Sequence, residues 1–278
     1  MSPQVDYDGV PTATDVKAML EEKTRELYQF RNAFRIDQEA ATRNSDSVEF
    51  PSGGTFEGEM VEVEKGGDYP RAKLDYDGAV AAYSKYGFEV PITDEDIKDS
   101  KINFALDNQQ QMAREEQRRL DAIAFSILDA NRNGTVIGTD GTDFNYEATV
   151  AAYTALVDAG FSADSLVFFL SPDAWGDMAT SSEFMSDTET FAEELRSTGP
   201  NIGQVMGRPA MLTNTGNLGA DEAFVVDTSR YGWESERDPF EVSRYREDQK
   251  DQWVYKERGR IDWVPTESDA AMFIQGGV

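Results

Sequence analysis

Carboxylates are the residues that could do chemistry in this chain of 278 residues, because histidine and cysteine are both absent. Without those two residue types the chain can form no disulfide, no thiolate zinc site, no cysteine nucleophile and no Ser-His-Asp triad. Asp and Glu together number 53, so pairs suited to acid–base catalysis could be drawn almost anywhere along the sequence. Such abundance gives no specific signal. The sequence therefore predicts no catalytic residue, no cofactor and no enzymatic activity.

One segment is similar to part of a calcium-binding loop. Asp129, Asn131 and Asn133 alternate before Gly134, as in the first half of an EF-hand loop, and Asp140 lies near its end. Asp140 replaces the bidentate Glu of such a loop, however, and nearby glycines interrupt the exit helix. The alternative is a helix C-terminal turn in which Gly134 supplies the left-handed residue. The turn is favoured, and the four polar residues are weak candidates for a metal site.

Charge is the strongest feature of the composition. There are 53 acidic residues against 26 basic ones, a formal net charge of −27, and the acidic residues are spread along the whole chain. In molar salt the Debye length falls to ~3 Å, so self-repulsion is screened while hydrated carboxylates keep the surface soluble. The composition favours a protein that works at high salt over an ordinary acidic mesophilic protein. It also argues against a dedicated nucleic-acid binder, which needs a basic surface.

No membrane attachment is expected from the sequence. The chain has no run of apolar residues long enough to span a bilayer, and its first residues lack the basic and apolar blocks of a signal peptide.

The longest predicted element is a helix over residues 93–131, which would serve as a spine. Thr93 and Asp96 form a variant of the capping signal at its start, and no Pro or Gly follows until Gly134. At ~1.5 Å per residue it would exceed roughly 50 Å, so we expect a sheet to pack along one side. The core positions of this spine are apolar residues at near-helical spacing: Ile102, Leu106, Leu120, Ala124 and Ile127.

A two-stranded ribbon is predicted before the spine. Residues 51–54 read as a turn, residues 56–65 alternate between apolar and acidic types, and residues 71–76 alternate back. Both faces of the ribbon are largely polar, and an isolated ribbon in water is marginally stable. We therefore expect it to contact another copy of the chain. The predicted intersubunit contact residues are Met60, Val61, Val63, Gly66, Gly67, Arg71 and Lys73.

Before the ribbon, residues 12–34 have helical spacing with Thr14 as N-cap, and residues 38–47 show no pattern. A helix on so slack a tether has two interpretations, which the sequence leaves open. It packs on its own domain, or it reaches a neighbouring subunit or the inner face of an assembly.

The second half of the chain predicts a small α/β domain and a set of terminal strands. A helix over residues 144–159 ends at Gly160, and the apolar run at 165–170 is typical of a buried strand. Ser171 is the predicted N-cap of the next helix, with Pro172 in its first position. The remaining strands are predicted at residues 207–213, 222–227, 240–245, 252–257, 260–265 and 270–274.

Five segments, taken in chain order, are similar to segments of one family. Residues 90–100 are similar to the family's entry into a spine helix, and residues 168–175 to its strand followed by a helix that starts with proline. Residues 203–210 are similar to the segment with glycine and proline that leads into a strand, and residues 224–231 to the segment before the last strands. Residues 261–265 with 271–273 are similar to the closing pair of strands. On these segments the chain resembles, over nearly its whole length, the major capsid proteins of tailed viruses, which have the Hong Kong 97-type fold.

The resemblance implies an α+β fold with four parts. These are an N-terminal arm, an extended β-hairpin loop that lies over a neighbouring subunit, a peripheral domain containing the spine helix, and an axial α/β domain. Their expected bounds are 1–46 for the arm, 47–87 for the loop, 88–141 with 229–265 for the peripheral domain, and 142–228 with 266–278 for the axial domain.

The resemblance also implies a function. The chain would be a structural shell subunit that self-assembles into hexamers and pentamers of an icosahedral capsid enclosing viral double-stranded DNA. It would be assembled in the host cytoplasm and reside in the virion. Its partners would be other copies of itself, neighbouring capsomers reached through the extended loop, and minor capsid, portal or decoration proteins, with packaged DNA contacted only loosely. The acidic composition adds the expectation of a halophilic archaeal host.

Two alternatives remain from the sequence. One is a cellular nanocompartment shell of the same fold, which would enclose an enzyme instead of a genome. The other is a soluble acidic hydrolase, which we disfavour because the polar ribbon would have no role in a monomer.

Overall fold

The computed structural model describes residues 29–42, 45, 47–57, 62–63, 65, 73–99, 104–180, 204–213 and 216–278. Within those ranges the chain forms four α-helices and three β-sheets. The helices are α1 (Asp94–Asp99), α2 (Phe104–Ala130), α3 (Tyr146–Asp158) and α4 (Pro172–Thr180). The strands are β1 (Arg35–Asp37), β2 (Ser47–Glu57), β3 (Lys73–Ala82), β4 (Ser84–Thr93), β5 (Val136–Ile137), β6 (Leu166–Leu170), β7 (Gln204–Val205), β8 (Arg208–Leu212), β9 (Glu222–Asp227), β10 (Gly232–Glu247), β11 (Gln252–Pro265) and β12 (Ala271–Gln275).

The six-stranded sheet has the strand order β5-β12-β9-β6-β8-β7. Its central strand β6 reads Leu-Val-Phe-Phe-Leu, and all of its residues are buried, as expected for a strand covered on both faces. β9 lies antiparallel to both β6 and β12, while β8 runs parallel to β6. α3 packs against β12, so this sheet and its helices form the α/β unit that the sequence predicts.

The two helices of this unit begin at capping side chains. Ser171 Oγ accepts a hydrogen bond from the Ala174 N–H at 3.1 Å, which confirms the predicted N-cap of α4. Asn145 caps α3 by accepting a hydrogen bond from the Ala148 N–H at 2.9 Å. After α3 the chain turns at Gly160, whose φ of +89° lies in the left-handed region, as the stop signal in the sequence predicts.

The four-stranded sheet has the strand order β1-β10-β11-β4. β10 and β11 are long antiparallel strands that pair from Gly232 and Pro265 to Glu247 and Gln252, and β4 pairs antiparallel to the other edge of β11. α2 packs on one face of this sheet and also carries residues of the main apolar core, which extends from the six-stranded sheet to Ile261 of β11. The helix therefore contacts both the four-stranded sheet and the main apolar core, whereas the sequence predicts a sheet along one side only.

The third sheet is the hairpin of β2 and β3, and its pairing corrects the predicted ribbon. The register runs from Ser47 opposite Ala82 to Glu57 opposite Lys73. Residues 51–54, predicted as a turn, lie inside β2, because a register shift between Ser52 and Thr55 accommodates the two intervening glycines. The ribbon thus begins about nine residues earlier than predicted.

The predicted spine is corrected to two helices, α1 and α2, with residues 100–103 outside the described part. Thr93 nevertheless caps α1 as predicted, since its Oγ1 accepts a hydrogen bond from the Asp96 N–H at 3.1 Å. α2 alone has 27 residues, which at ~1.5 Å per residue gives a rod of about 40 Å.

Three further predictions are wrong in detail. Residues 252–257 and 260–265 form one continuous strand, β11, because Gly259 pairs with Tyr86 of β4. Gly134 does not have a positive φ; Gly138 and Gly141 do. The predicted helix over residues 12–34 does not continue to its expected end, since Phe30–Ala33 form a 3₁₀ turn that leads into β1; residues 1–28, with Thr14, lie outside the described residues.

Candidate assembly surfaces

The base of the β2–β3 hairpin packs onto the four-stranded sheet of the same protomer. Phe50 on β2 is 4% exposed and stacks on Trp233 of β10, with ring centroids 5.4 Å apart. Ala81 of β3 and Val264 of β11 complete this buried cluster. Arg35 of β1 lies over the same indole, with its Cζ 4.0 Å from the ring centroid. Trp233 therefore contacts both the hairpin and the N-terminal strand.

Two long-range hydrogen bonds hold the hairpin base in place. The Ser52 hydroxyl donates to the carbonyl of Thr266, and Asp262 on β11 accepts from the Ala82 N–H at 2.7 Å. Burial raises the pKa of Asp262, while its backbone donors act in the opposite direction. Contacts within the protomer thus fix the root of the hairpin.

The segment before β1 is also held by its own protomer. Asp121 of α2 is fully buried, and its Oδ1 accepts hydrogen bonds from the backbone N–H groups of Gln29 at 3.1 Å and Phe30 at 2.8 Å. Phe30 itself is fully buried, with its ring centroid 4.9 Å from Phe125 and 5.5 Å from Phe169. The sequence leaves open whether the N-terminal segment packs on its own domain or reaches a neighbouring subunit. For residues 29–37 these contacts support packing on the chain's own domain.

A buried carboxylate on β10 strengthens that attachment. Glu234 is 3% exposed and accepts hydrogen bonds from the Arg31 guanidinium and from Trp263 Nε1, the latter at 2.8 Å. Arg31 thus joins the N-terminal segment to the four-stranded sheet by a charge-assisted pair. Sequence reasoning missed both Asp121 and Glu234. The available signal was a charged residue in the apolar phase of an otherwise regular helix or strand.

The open face of the four-stranded sheet carries a shallow groove of about 360 Å³, lined by Lys85, Arg258 and Arg260 together with Asp238 and Glu241. The opposite charges are interleaved, and Arg260 pairs with Asp238 at 3.5 Å. Among the described residues there is no group of three or more acidic side chains that could hold a metal ion. The groove has neither the apolar lining nor the convergent polar groups of a substrate site.

Comparison with protein families supplies the deciding observation. A family model described as phage capsid protein matches residues 79–273, which run from within β3 to within β12. The chain belongs to the phage capsid protein family.

Solved structures of other capsids share the fold of this capsid protein. A chain from Mycobacterium phage Che8 is 15% identical with a TM-score of 0.68, covering 89% of this chain and 90% of that one. The capsid of cyanophage P-SCSP1u gives 10% identity and a TM-score of 0.68 over 90% and 88% of the two chains. A virus-like particle from Pyrococcus furiosus gives 9% identity and a TM-score of 0.62 over 94% and 98%. These structures confirm the predicted α+β, Hong Kong 97-type fold.

Comparison with curated protein sequences gives no match. The family model therefore carries the assignment, and the solved structures carry the fold.

Most of the predicted contact residues of the capsid protein lie outside the described residues. This holds for Met60, Val61, Gly66, Gly67 and Arg71, and for the side chain of Lys73, whose backbone lies in β3. Val63 is described and half-buried. The contact set stays a prediction.

Two exposed apolar side chains near the hairpin were not in the predicted set. Val80 on β3 is 57% exposed and Ile36 on β1 is 69% exposed. In a protomer of a shell protein, such side chains are the ones that a neighbouring copy can cover.

Three of the five predicted core residues of the spine fall in the second half of α2. Leu120 and Ala124 are buried, and Ile127 is half-buried against the same core. Ile102 lies outside the described residues, and so does the side chain of Leu106.

The four cation candidates do not converge in this structure. Asp129 pairs with Arg132 at 2.9 Å, and the Asn131 amide donates to a carbonyl of α2. Asn133 Oδ1 accepts from the backbone N–H of Thr135, and its amide donates to Asp269. Asp140 is exposed in the turn that follows β5. The segment functions as the capped end of a helix.

No described helix of the capsid protein is both long enough and apolar enough to cross a membrane.

Proposed function

We propose that this capsid protein is the major shell subunit of a tailed virus and that it assembles into hexamers and pentamers of an icosahedral particle enclosing double-stranded DNA. The observation that carries the proposal is the family match over residues 79–273, which includes the spine helix and most of both larger sheets. Its place would be the virion, and other capsid components such as portal or decoration proteins would be its further partners.

The expected intersubunit contact is the hairpin of one protomer on a neighbouring protomer. Its root is fixed at Trp233 while Val80, on the same hairpin, is left in solvent by its own protomer. Burial of an exposed valine by a neighbour would contribute roughly 1–2 kcal/mol per contact, which becomes large when repeated around a closed shell.

The four parts expected from the family are proposed with one refinement. The four-stranded sheet and α2 would form the peripheral domain, and the six-stranded sheet with α3 and α4 would form the axial domain. β5 (Val136–Ile137) pairs with β12, so we assign residues 136–137 to the axial domain instead of the peripheral one.

Electron microscopy of the purified full chain in molar salt tests the assembly proposal. Closed particles or hexameric and pentameric rings are expected, and a stable monomer under these conditions would overturn it. Val80→Glu should abolish particles without changing the unfolding temperature of the protomer, because Val80 is 57% exposed there. Val80→Thr, which keeps the shape, is the matched control and should still assemble.

The net charge of −27 is the reason to propose that the protein comes from a virus of a halophilic archaeon. At low ionic strength the like charges of neighbouring subunits are no longer screened, so particles should dissociate on dilution into low salt. Particles that stay intact from molar to millimolar salt would instead fit an acidic mesophilic protein.

The contents of the particle distinguish a viral capsid subunit from the alternative, the shell protein of a cellular nanocompartment. Purified particles that protect DNA from nuclease, or that carry a portal vertex, support the viral subunit. Particles that hold an enzyme and no DNA support the compartment.

A further inference from the structure

Two buried glutamates face each other where α2 packs on the four-stranded sheet. Along α2, Glu116 falls at the four-residue spacing of the side chains that pack inward, between Met112 and Leu120. Along β11, Glu257 falls in the alternating phase of the buried Tyr255 and the buried Ile261. Both positions are core positions by pattern, and each carries an acid.

The residues that flank Glu257 in the sheet are apolar, and so is the helix residue one turn before Glu116. Glu257 is 2% exposed, and its neighbours across the sheet are Val242 on β10 and Phe88 on β4. Glu116 is 9% exposed, one helical turn from Met112, which packs in the adjacent apolar cluster. Neither carboxyl group can obtain the hydration that an ionised carboxylate requires.

The two carboxyl groups lie within hydrogen-bonding reach of each other where α2 packs on β11. Glu257 Oε2 has no hydrogen-bond partner within the described part of the chain. A carboxylate can only accept, so a hydrogen bond between two carboxyl groups requires that one of them hold a proton. Two buried carboxyl groups in contact avoid facing like charges when they share one proton.

The charged groups that face the pair do not remove this requirement. Arg31, from the turn before β1, attracts Glu116, but its guanidinium is bound by Glu234. Glu236 on β10 adds a further negative charge on the same side. Burial, with the Glu116 carboxylate as a second cause, raises the pKa of Glu257 to about 9, and burial also raises the pKa of Glu116.

We propose that Glu116 and Glu257 share one proton and form a pH-dependent clamp between α2 and β11, closed while the proton is held and opened when it is lost. Loss of the proton places two negative charges in contact in an apolar seam, so the helix and the sheet must separate or admit water. The clamp is a property of the single protomer and does not depend on the proposed function.

The sign of the pH dependence follows from linkage. In the unfolded chain Glu257 titrates near its ordinary pKa of 4.5, whereas in the folded chain its pKa is about 9. Between these values the folded state binds the extra proton, so stability falls as pH rises and this contribution is lost above about pH 9. Repulsion among the other carboxylates adds a background slope, which a control variant must measure.

Thermal unfolding of the full chain at constant high salt, from pH 5 to pH 10, tests the clamp. The wild-type unfolding temperature should fall by about 5–10 °C over this range as the proton is lost. Glu257→Gln keeps the shape and donates an amide N–H to Glu116 at every pH, so its curve should be at least twofold flatter. Glu115→Gln on the exposed side of the same helix is the control and should follow wild type.

Infrared spectroscopy supplies a second readout that needs no variant to fold. At pH 7 the wild type should show the carbonyl stretch of a protonated carboxylic acid, and this band should disappear above about pH 9. Glu116→Gln should also remove it. The absence of the band at pH 7, or parallel unfolding curves for wild type and Glu257→Gln, would overturn the clamp.

Discussion

The two larger sheets of this capsid protein are stabilised by different means. The central strands of the six-stranded sheet are apolar and buried except for Glu222 and Asp227 at the two ends of β9, and the helices beside it begin at neutral capping side chains. The four-stranded sheet buries Glu234 and Glu257 beside its apolar residues and carries partly exposed ion pairs. Burial of apolar surface depends little on salt or pH, whereas charge interactions depend on both. Most of the sensitivity of the protomer to salt and pH should therefore lie on the four-stranded side.

The largest expected effect is on the six-stranded side. Phe224 on β9 is fully buried, with ring centroids 4.9 Å from Phe273 and 6.1 Å from Phe125. Phe224→Ala should lower the free energy of unfolding by roughly 3–5 kcal/mol, by the same amount in low and high salt. Denaturant unfolding at two salt concentrations measures this. A loss that changes with salt would contradict the comparison, and Phe224→Leu should give a smaller loss.

Neutralising a buried carboxylate on the four-stranded side should have the second-largest effect on the free energy of unfolding. Glu234→Gln removes the negative charge that pairs with the Arg31 guanidinium, and we expect a loss of about 2–3 kcal/mol in denaturant unfolding at pH 7. The N-terminal segment should also become accessible to protease, because Arg31 joins it to β10. Unchanged protease resistance would show that Phe30 and Asp121 alone hold that segment. Glu241→Gln, at an exposed position on the same strand, is the control.

A cap on the six-stranded side should have a smaller effect. Ser171→Ala removes the acceptor for the Ala174 N–H and should lower the free energy of unfolding by about 1 kcal/mol. Ser171→Thr keeps both the acceptor for the Ala174 N–H and the hydroxyl donor to the Ala220 carbonyl, and it should recover most of the loss. Both differences in the free energy of unfolding should be the same at pH 6 and pH 9. A change between these pH values would mean that the six-stranded side is also sensitive to pH.

The smallest effect is expected from a surface pair on the four-stranded side. Hydrogen bonds from the Arg246 guanidinium hold the pKa of Asp94 below its usual range. Because the folded pKa is lowered, the stabilisation is present above the ordinary pKa of 3.8 and is lost as pH falls through the folded value. Arg246→Gln should destabilise slightly at low salt and not at all in molar salt. An equal effect in molar salt would mean that Arg246 acts through packing on Trp253 instead.

Sequence patterns predict the six-stranded side well, because its rules are local. A continuous apolar run defines β6, Ser171 defines the start of α4, and Gly160 defines the turn after α3. Each of these signals depends on a residue's own type and that of its immediate neighbours.

The four-stranded side is harder to predict, because its decisive contacts join residues far apart in sequence. Glu116 and Glu257 look like solvated acids in a chain with 53 of them, and only the helix and strand phases show that both point inward. The same holds for Arg31 and Glu234, which meet across the sheet only after β1 pairs with β10. The hairpin was predicted as an element but misplaced, since glycines that favour a turn can also form a bulge.

The indole of Trp233 is shared by Phe50 of the hairpin and Arg35 of the N-terminal strand. A pull on the hairpin therefore acts on the same ring that carries the incoming chain, and tension on either one is transmitted to the other through a single side chain. In a shell, this coupling would let a subunit register strain from a sister molecule at its own amino-terminal strand. The fluorescence of Trp233 would report this strain.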